Sequence, residues 1–298
     1  MDAIESLYSH FLKSTGVSAN IRKITPGCLF FALKSACCDD NIYARDALDR
    51  GAALAVVDDP ALKEKEGMFW VEDTTRALYD LARHHRRQFH IPVVGIAGSK
   101  EGRLTTELLG GLMPAHYKTH LALGNRNYPI QVALSLLSMP PDVELVLVEM
   151  PGSQPDNIEM LCSIAEPSHG LVTRISGEDR HPAQLFRYLE SNNGVAFLQK
   201  DASLLNELAK GVKRVIPFGQ VEELTGVLGI LEIQLLSDAP YLEVAFLNSR
   251  RETVRVRSRI TGGEHFQDLA AVIALGKYFK VPSALIKTYL EENQVPST

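Results

Sequence analysis

Residues 95–109, GIAGSKEGRLTTELL, carry the side chains of this sequence that come nearest to phosphate chemistry. An apolar run leads into a Gly-bearing turn and a helical pattern follows, which is where nucleotide phosphates are usually held. A Walker A loop, G-x-x-x-x-G-K-[ST], also needs a Lys for the β- and γ-phosphates and a hydroxyl for Mg²⁺. Counted from Gly95, the last three of these positions hold Lys100, Glu101 and Gly102, so the Lys and the hydroxyl are missing. The carboxylate of Glu101 would also repel an anion.

An alternative alignment, which moves the Gly-Lys pair to later residues, does not restore the loop either. It makes Gly102 and Arg103 the Gly-Lys pair, but a guanidinium is a wide planar fork and Leu104 then replaces the metal hydroxyl. The start of the predicted helix, with Thr105 and Thr106, can still hold an anion weakly. Two interpretations stay open: residual nucleotide binding, and an ordinary connection between a strand and a helix.

Composition and charge narrow the class of protein. The 298 residues are enough for two domains, and a net charge of −5 argues against non-specific nucleic-acid binding. The longest apolar runs have the length of strands, and the first residues lack the apolar core of a signal peptide. The four cysteines (Cys28, Cys37, Cys38 and Cys162) lack zinc-finger spacing, so we expect reduced thiols in a cytoplasmic protein.

Residues 1–90 are predicted to form an N-terminal α/β domain, because apolar runs alternate with helical patterns. The predicted strands are 28–34, 52–59 and 68–73, and the predicted helices are 43–51 and 75–89. Four consecutive polar residues, His84 to Arg87, close the second of these helices. Because consecutive residues spread around a helix, we expect a solvated helix end and not a ligand site.

A second domain, residues 91–298, is predicted to begin at the HIP joint of residues 90–92. Its predicted strands are 93–98, 145–150, 169–175, 194–199 and 214–219, and its predicted helices are 105–113, 129–139, 157–165, 183–191, 266–279 and 283–293. Continuous apolar strands that alternate with helices indicate a mostly parallel sheet flanked by helices. After residue 220 the pattern is β-rich, which predicts an antiparallel extension. The fold class is therefore α/β, with a small N-terminal domain and a central domain of the P-loop type.

Five segments in the same order resemble the Mur ligases, the ATP-dependent enzymes that extend the peptide of peptidoglycan precursors. They resemble the D-alanyl-D-alanine-adding, MurF type most. The segments are TPGCLFFALK, GIAGSKEGRLTTELL, LALGNRNYPIQVALSLLSM, VLVEMPGSQPDNIEMLCSIAEPSHGLVTRI and FQDLAAVIALGKYFKVP. The resemblance covers nearly the whole chain.

The resemblance implies a nucleotide site that is degenerate. Against the family loop G-[ST]-N-G-K-T-T, Gly98 and Ser99 match, while the next four residues depart from the pattern. Asn125 and Asn127 match two further family positions, and Tyr128 replaces the next Asn. The vestigial nucleotide-binding residues are therefore expected to be Gly98, Ser99, Gly102, Arg103, Thr105, Thr106, Asn125 and Asn127. ATP and Mg²⁺ are expected as cofactors only if this site works.

The resemblance also implies metal and substrate residues. Glu149 stands at the family's metal-binding Glu, whereas the metal-ligating His and the carbamylated Lys that follow are missing from a shortened connection. His181 could substitute for that His, although a surface loop residue is the simpler interpretation. Ser18 and Arg22 remain of the uridine-binding S-x-D-[ST]-R motif, and Lys34 closes the first matching segment.

These departures favour a non-catalytic Mur-ligase-like protein that binds, scaffolds or regulates within peptidoglycan precursor metabolism. Its expected partners are a Mur ligase or another peptidoglycan enzyme, a second copy of the chain, or a UDP-muramyl peptide. The alternatives are an ATP-dependent ligase whose third domain comes from another chain or was removed, and a MurF-like module of a larger fusion. The family's third domain is expected to be absent, because it should begin after residue 298.

Overall fold

The computed structural model describes residues 3–35, 38–98, 103–122, 128–151, 157–173 and 181–293. They form two compact units. The first unit comprises Met1–His90, Ala122–Pro141 and Ser163–Glu166, and the second comprises Ile91–Leu121, Asp142–Cys162 and Pro167–Thr298. The chain first leaves the first unit at the HIP joint but returns to it twice. The roles expected of residues 1–90 and 91–298 as domains stay predictions.

Helices and strands alternate along most of the chain. The α-helices are α1 (Ala3–Phe11), α2 (Ala44–Asp49), α3 (Thr74–Arg87), α4 (Arg103–Leu112), α5 (Tyr128–Leu137), α6 (Asn157–Ala165), α7 (Gln184–Ser191), α8 (Ser203–Leu208), α9 (Phe266–Tyr278) and α10 (Ser283–Glu292). The strands are β1 (Val17–Ser18), β2 (Leu29–Phe31), β3 (Leu54–Val57), β4 (Met68–Trp70), β5 (Val93–Gly98), β6 (Thr119–Ala122), β7 (Leu145–Pro151), β8 (His169–Val172), β9 (Val195–Gln199), β10 (Arg214–Val221), β11 (Leu231–Ser237), β12 (Glu243–Leu247) and β13 (Thr253–Arg257). None of the helices in the described ranges is long and apolar enough to cross a bilayer.

The first unit is built on a four-stranded parallel sheet in the order β1-β2-β3-β4. Its two central strands are buried on both faces, as the continuous apolar runs at residues 28–34 and 52–59 predict. Asp73 is the N-cap residue of α3, because its carboxylate accepts the Arg76 N–H at 2.9 Å. This cap fixes where the longest helix of the unit starts.

The end of α3 differs from the sequence prediction. His85 and Arg86 are each only 8% exposed, so the expected solvated helix end is wrong for these two residues. Arg86 donates hydrogen bonds to the carbonyls of Ala165 (3.0 Å) and Phe89 (2.8 Å). Burial, with a smaller contribution from neighbouring His84, lowers the pKa of His85 to about 4. A guanidinium is tolerated inside the unit because main-chain carbonyls satisfy its donors.

The second unit is built on a nine-stranded sheet in the order β13-β12-β11-β10-β9-β8-β5-β7-β6. The pairings from β7 through β5, β8, β9 and β10 to β11 are parallel, and β12 and β13 continue the sheet antiparallel. The predicted parallel sheet with a β-rich extension is therefore confirmed. Helix α9 packs in the core of this unit, where residues 268–276 are all buried.

Candidate functional site at the carboxyl ends of the central strands

At the centre of the nine-stranded sheet, successive connections of the chain run to opposite sides of the sheet. From β5 the chain runs through α4 to β6 on one side, whereas from β8 it runs to β9 on the other. Ligands of open parallel sheets bind in the crevice beyond the carboxyl ends of such neighbouring strands. The Thr173 N–H, just after β8, donates to the Ala97 carbonyl at 2.9 Å, so the ends of β5 and β8 lie side by side. This edge is the candidate site of the second unit.

The predicted nucleotide-binding residues divide into two groups. Gly98 ends β5 and is buried, and Arg103, Thr105 and Thr106 lie in the first turn of α4. Ser99, Gly102, Asn125 and Asn127 lie outside the described residues. The part of the prediction that the structure describes is therefore the end of a strand and the start of a helix.

The first two side chains of α4, Arg103 and Leu104, differ in their exposure and contacts. Arg103 is largely exposed, and its guanidinium forms an ion pair with Glu107 one turn later, with 2.8 Å between Nε and Oε1. Leu104, which stands near the position of the metal hydroxyl in a working loop, is only 7% exposed. Arg103 is thus paired within its own helix and Leu104 packs inside the unit, and the nucleotide roles expected of this segment stay predictions.

A buried hydrogen-bonded chain links α4 to α9. The Thr105 hydroxyl donates to Asp268 Oδ1 at 2.5 Å, and both residues are almost fully buried. His265 Nδ1 lies 3.3 Å from Asp268 Oδ2. The Thr105 hydroxyl is therefore bonded to a carboxylate, although the Thr105 backbone lies near the start of the helix.

Asp268 and His265 were not found by sequence reasoning. The signal was present, since Asp268 is a single acid in the apolar run FQDLAAVIALG. An isolated acid on a fully buried helix must find a donor, because an unpaired carboxylate in the core is costly. Its partner could not be named, because Thr105 lies 163 residues away along the chain.

The two predicted metal residues lie on different elements of the second unit. Glu149 is half-buried on β7, opposite Ile96 of β5. His181 begins a short 3₁₀ helix, His181–Ala183, that leads into α7. Among the residues that the structure describes, no three His, Cys, Asp or Glu side chains converge as a metal site. The metal roles expected of Glu149 and His181 stay predictions.

The first unit contains a cavity of about 1070 Å³. Its polar side chains include Ser18, Asn20, Lys23, Lys34 and Asp40, and α5 supplies an apolar wall. The structure thus brings Ser18 and Lys34 to one cavity, and their role in substrate binding stays a prediction. Arg22, the third residue of that prediction, is exposed and does not line the cavity.

Local hydrogen bonds shape the turn on which Ser18 lies. The Ser18 hydroxyl donates to the Asn20 carbonyl at 3.1 Å and accepts the Asn20 N–H at 3.2 Å. The Asn20 side chain in turn accepts the Arg22 N–H at 2.9 Å and caps the 3₁₀ helix Ile21–Lys23. Asn20 therefore supports the turn in place of the acid that the resembling motif has at this position.

Lys34 belongs to a charged network at the ends of β2 and β3. Its ammonium lies 2.8 Å from Asp58 Oδ1 and 3.7 Å from Asp39 Oδ2. The hydrogen bond to Asp58 raises the pKa of Lys34. Burial raises the pKa of Asp58, but hydrogen bonds from Lys34 and Asn41 outweigh it and hold this pKa below its usual range. Lys23, without an ion pair among the described residues, is then the freer cation of the cavity wall.

The chain is similar to curated ligases over more than half of its length. The UDP-N-acetylmuramoyl-tripeptide--D-alanyl-D-alanine ligase of Synechocystis sp. is 32% identical over 169 residues, which are 56% of this chain and 37% of that protein. The proteins of that name from Bacillus subtilis and Escherichia coli are 29% identical over 162 residues and 28% identical over 196 residues. These matches cover 54% and 62% of this chain, and 35% and 43% of the two relatives. No family model matches the sequence.

The chain is a homologue of the MurF-type Mur ligases. Solved structures share the fold: MurF from Acinetobacter baumannii has a TM-score of 0.78 at 20% identity, covering 98% of this chain and 68% of that one. MurF ligase from Thermotoga maritima in complex with ADP has a TM-score of 0.76 at 20% identity, covering 96% of this chain and 67% of that one. This Mur ligase homologue spans between a third and a half of the length of the curated relatives that it matches.

Proposed function

We propose that this Mur ligase homologue acts in cytoplasmic peptidoglycan precursor metabolism as a binding or scaffolding protein that does not itself form the amide bond. The observation that carries the proposal is the start of α4. There Arg103 is paired with Glu107, Leu104 is buried and the Thr105 hydroxyl is bonded to Asp268.

The described residues do not fit Mg²⁺·ATP at this position. Phosphoryl transfer needs a cation on the phosphates and oxygen ligands on the metal at the same edge of the sheet. Glu149 is one suitable oxygen ligand, but Arg103 and the Thr105 hydroxyl at the described start of α4 already have partners. Removal of one well-placed electrostatic group often costs about 10²–10³ in rate, so several losses together argue against turnover.

The cavity of the first unit supports a retained binding role. A UDP-linked muramyl peptide carries phosphates, hydroxyls and carboxylates, which suit a wall with Lys23, Ser18 and Asn20. The hydrogen bonds that hold Ser18 and Asn20 in the turn preorganise that wall before a ligand arrives. Binding of the precursor without turnover is the expected behaviour, with a Mur ligase or another peptidoglycan enzyme as the partner.

A second candidate is an ATP-dependent ligase that works with a further domain, supplied by another chain or by a longer polypeptide. The observation that favours it is the retained fold, since 98% of the chain superposes on a MurF structure. Glu149 at the end of β7 also favours it.

Thermal unfolding with each ligand separates the two candidates. UDP-N-acetylmuramoyl-tripeptide at about 100 times its Kd should stabilise the protein by about 2.7 kcal/mol, whereas ATP with Mg²⁺ should give no shift. Lys23→Ala should weaken the shift with the precursor, and Lys65→Ala, an exposed residue that does not line the cavity, should leave it unchanged. A shift with ATP and Mg²⁺ together with ATP turnover would establish the ligase candidate. No shift with either ligand would reject both.

A further inference from the structure

The outer edge of the nine-stranded sheet carries a row of arginines. β13 is the edge strand, and β12 is its sheet neighbour among the described strands. Arg255, Arg257 and Arg259, here called the arginine ladder, are exposed and alternate with the buried Val256 and Ser258. Because alternate residues of a strand lie about 7 Å apart on the same face, Arg255 and Arg257 of β13 share one sheet face, and Arg259 follows two residues beyond the end of the strand.

This row is a local excess of positive charge in an acidic chain. Residues 250–259, RRETVRVRSR, contain five arginines and one glutamate, whereas the whole chain has a net charge of −5. Arg257 already binds the carboxylate of Glu243 on β12, with 3.1 Å between Nε and Oε1. Arg255 lies opposite the uncharged Ala245, and neither Arg255 nor Arg259 has an ion pair among the described residues. Two cations of the ladder are therefore available to another molecule.

Part of the main chain of β13 faces away from β12, although α10 packs against β13. The Ser258 N–H donates to a carbonyl just before β12 at 2.9 Å, and this bond determines which residues of β13 form hydrogen bonds with β12. In this pairing Val256 bonds to β12, and the N–H and C=O groups of Arg255 and Arg257 point away from β12. One of these outward groups already meets a carboxylate, because the Arg257 N–H donates to Glu291 Oε1 at 3.3 Å.

We propose that the arginine ladder binds an extended acidic protein segment, which adds as a further strand along β13. Alternate carboxylates of such a segment would face Arg255 and Arg259, and its main chain would bond to the outward groups of the edge that Glu291 does not occupy. Carboxylates suit the planar guanidinium fork, which can hold both oxygens at once. Single-stranded nucleic acid fits less well, since it needs aromatic side chains between the cations, and here the intervening residues point into the core. This inference goes beyond the proposed function and does not depend on it.

A fluorescein-labelled peptide of four Glu-Val repeats tests the proposal by fluorescence anisotropy with the full chain. We expect saturable binding that weakens with salt. Arg255→Gln/Arg259→Gln should weaken it roughly tenfold, about threefold for each charge pair. Arg45→Gln/Arg250→Gln removes two exposed arginines that lie outside the ladder and should leave the affinity unchanged. Far-ultraviolet circular dichroism of each variant confirms that it is folded.

Two further probes separate strand addition from general attraction. Methylation of alternate backbone nitrogens of the peptide should abolish binding if its main chain pairs with β13, and unchanged binding would overturn strand addition. The charge reversal Arg255→Glu/Arg259→Glu should transfer binding to a Lys-Val repeat peptide. Equal binding by the Gln double variant of the ladder, or preferential binding of oligo-dT or of vesicles rich in phosphatidylglycerol, would overturn the proposal.

Discussion

The hydrogen bond between Thr105 and Asp268 should account for a measurable share of the stability of the second unit. Thr105→Val replaces the hydroxyl by a methyl group of nearly the same volume, so it leaves no cavity. The Asp268 carboxylate, which is only 1% exposed, loses a donor at 2.5 Å and gains no water in exchange. Hydrogen bonds to charged groups contribute about 1.5–3 kcal/mol, so we expect the free energy of unfolding to fall by about 2 kcal/mol.

Urea unfolding followed by circular dichroism measures this change, and an unchanged m-value shows that the same surface unfolds. Thr106→Val is the matched control, because Thr106 is the next residue of α4 and is also buried. No hydrogen bond joins its hydroxyl to a charged group among the described residues, so its replacement should cost less than about 0.5 kcal/mol.

A double-mutant cycle isolates the interaction itself. In the background of Asp268→Ala, the further change Thr105→Val should cost little, which gives a coupling of about 1.5–3 kcal/mol between the two residues. Equal losses for Thr105→Val and Thr106→Val, or no coupling to Asp268, would refute the reasoning. Such a result would also remove one support of the proposed function, because the Thr105 hydroxyl would then be free for another role.

Three further predictions concern pH, the first unit and the packing of α4. Burial lowers the pKa of His169 to about 4, so between pH 6.5 and 4 the unfolded state binds a proton that the folded state does not, and the protein loses stability as pH falls. His169→Phe should reduce this loss by at most about 3 kcal/mol when the free energy of unfolding is measured across that pH range. Asn41→Ala leaves two aspartate carboxylates without its amide donors at 2.7 Å and should cost about 3 kcal/mol in urea unfolding; a loss below about 1 kcal/mol would contradict it. Gly110→Ala should raise the thermal midpoint, because a Cβ there finds space in a helix, whereas Gly111→Ala should lower it by collision with the Tyr289 ring, and shifts of the same sign would contradict this account.

The long, strongly patterned elements followed from the sequence. The predicted strand 93–98 and helix 157–165 coincide with β5 and α6. The helix is long enough to show apolar residues at helical spacing, and the strand is a continuous apolar run of the kind that is buried inside parallel sheets. The short elements β1 and α8 were missed, since two or six residues carry too weak a pattern.

The two units were only partly foreseen. A joint at residues 90–92 followed from a change of pattern, but the return of residues 122–141 to the first unit did not. That return places α5 beside α3 and supplies the apolar wall of the cavity. Helical periodicity indicates that one face of a helix is buried, but it does not indicate which other element covers that face.

The sequence by itself determined the kinship of the chain and the residue types at the phosphate-loop position. Both are properties of residue order, which local patterns and matching segments preserve. Only the tertiary structure decided that Thr105 bonds to Asp268 and that Arg86 bonds to the Ala165 carbonyl, across 163 and 79 residues of chain. A buried hydroxyl, carboxylate or guanidinium needs a hydrogen-bond partner because burying it unpaired is costly. Which residue becomes that partner depends on which helices and strands pack together in the core.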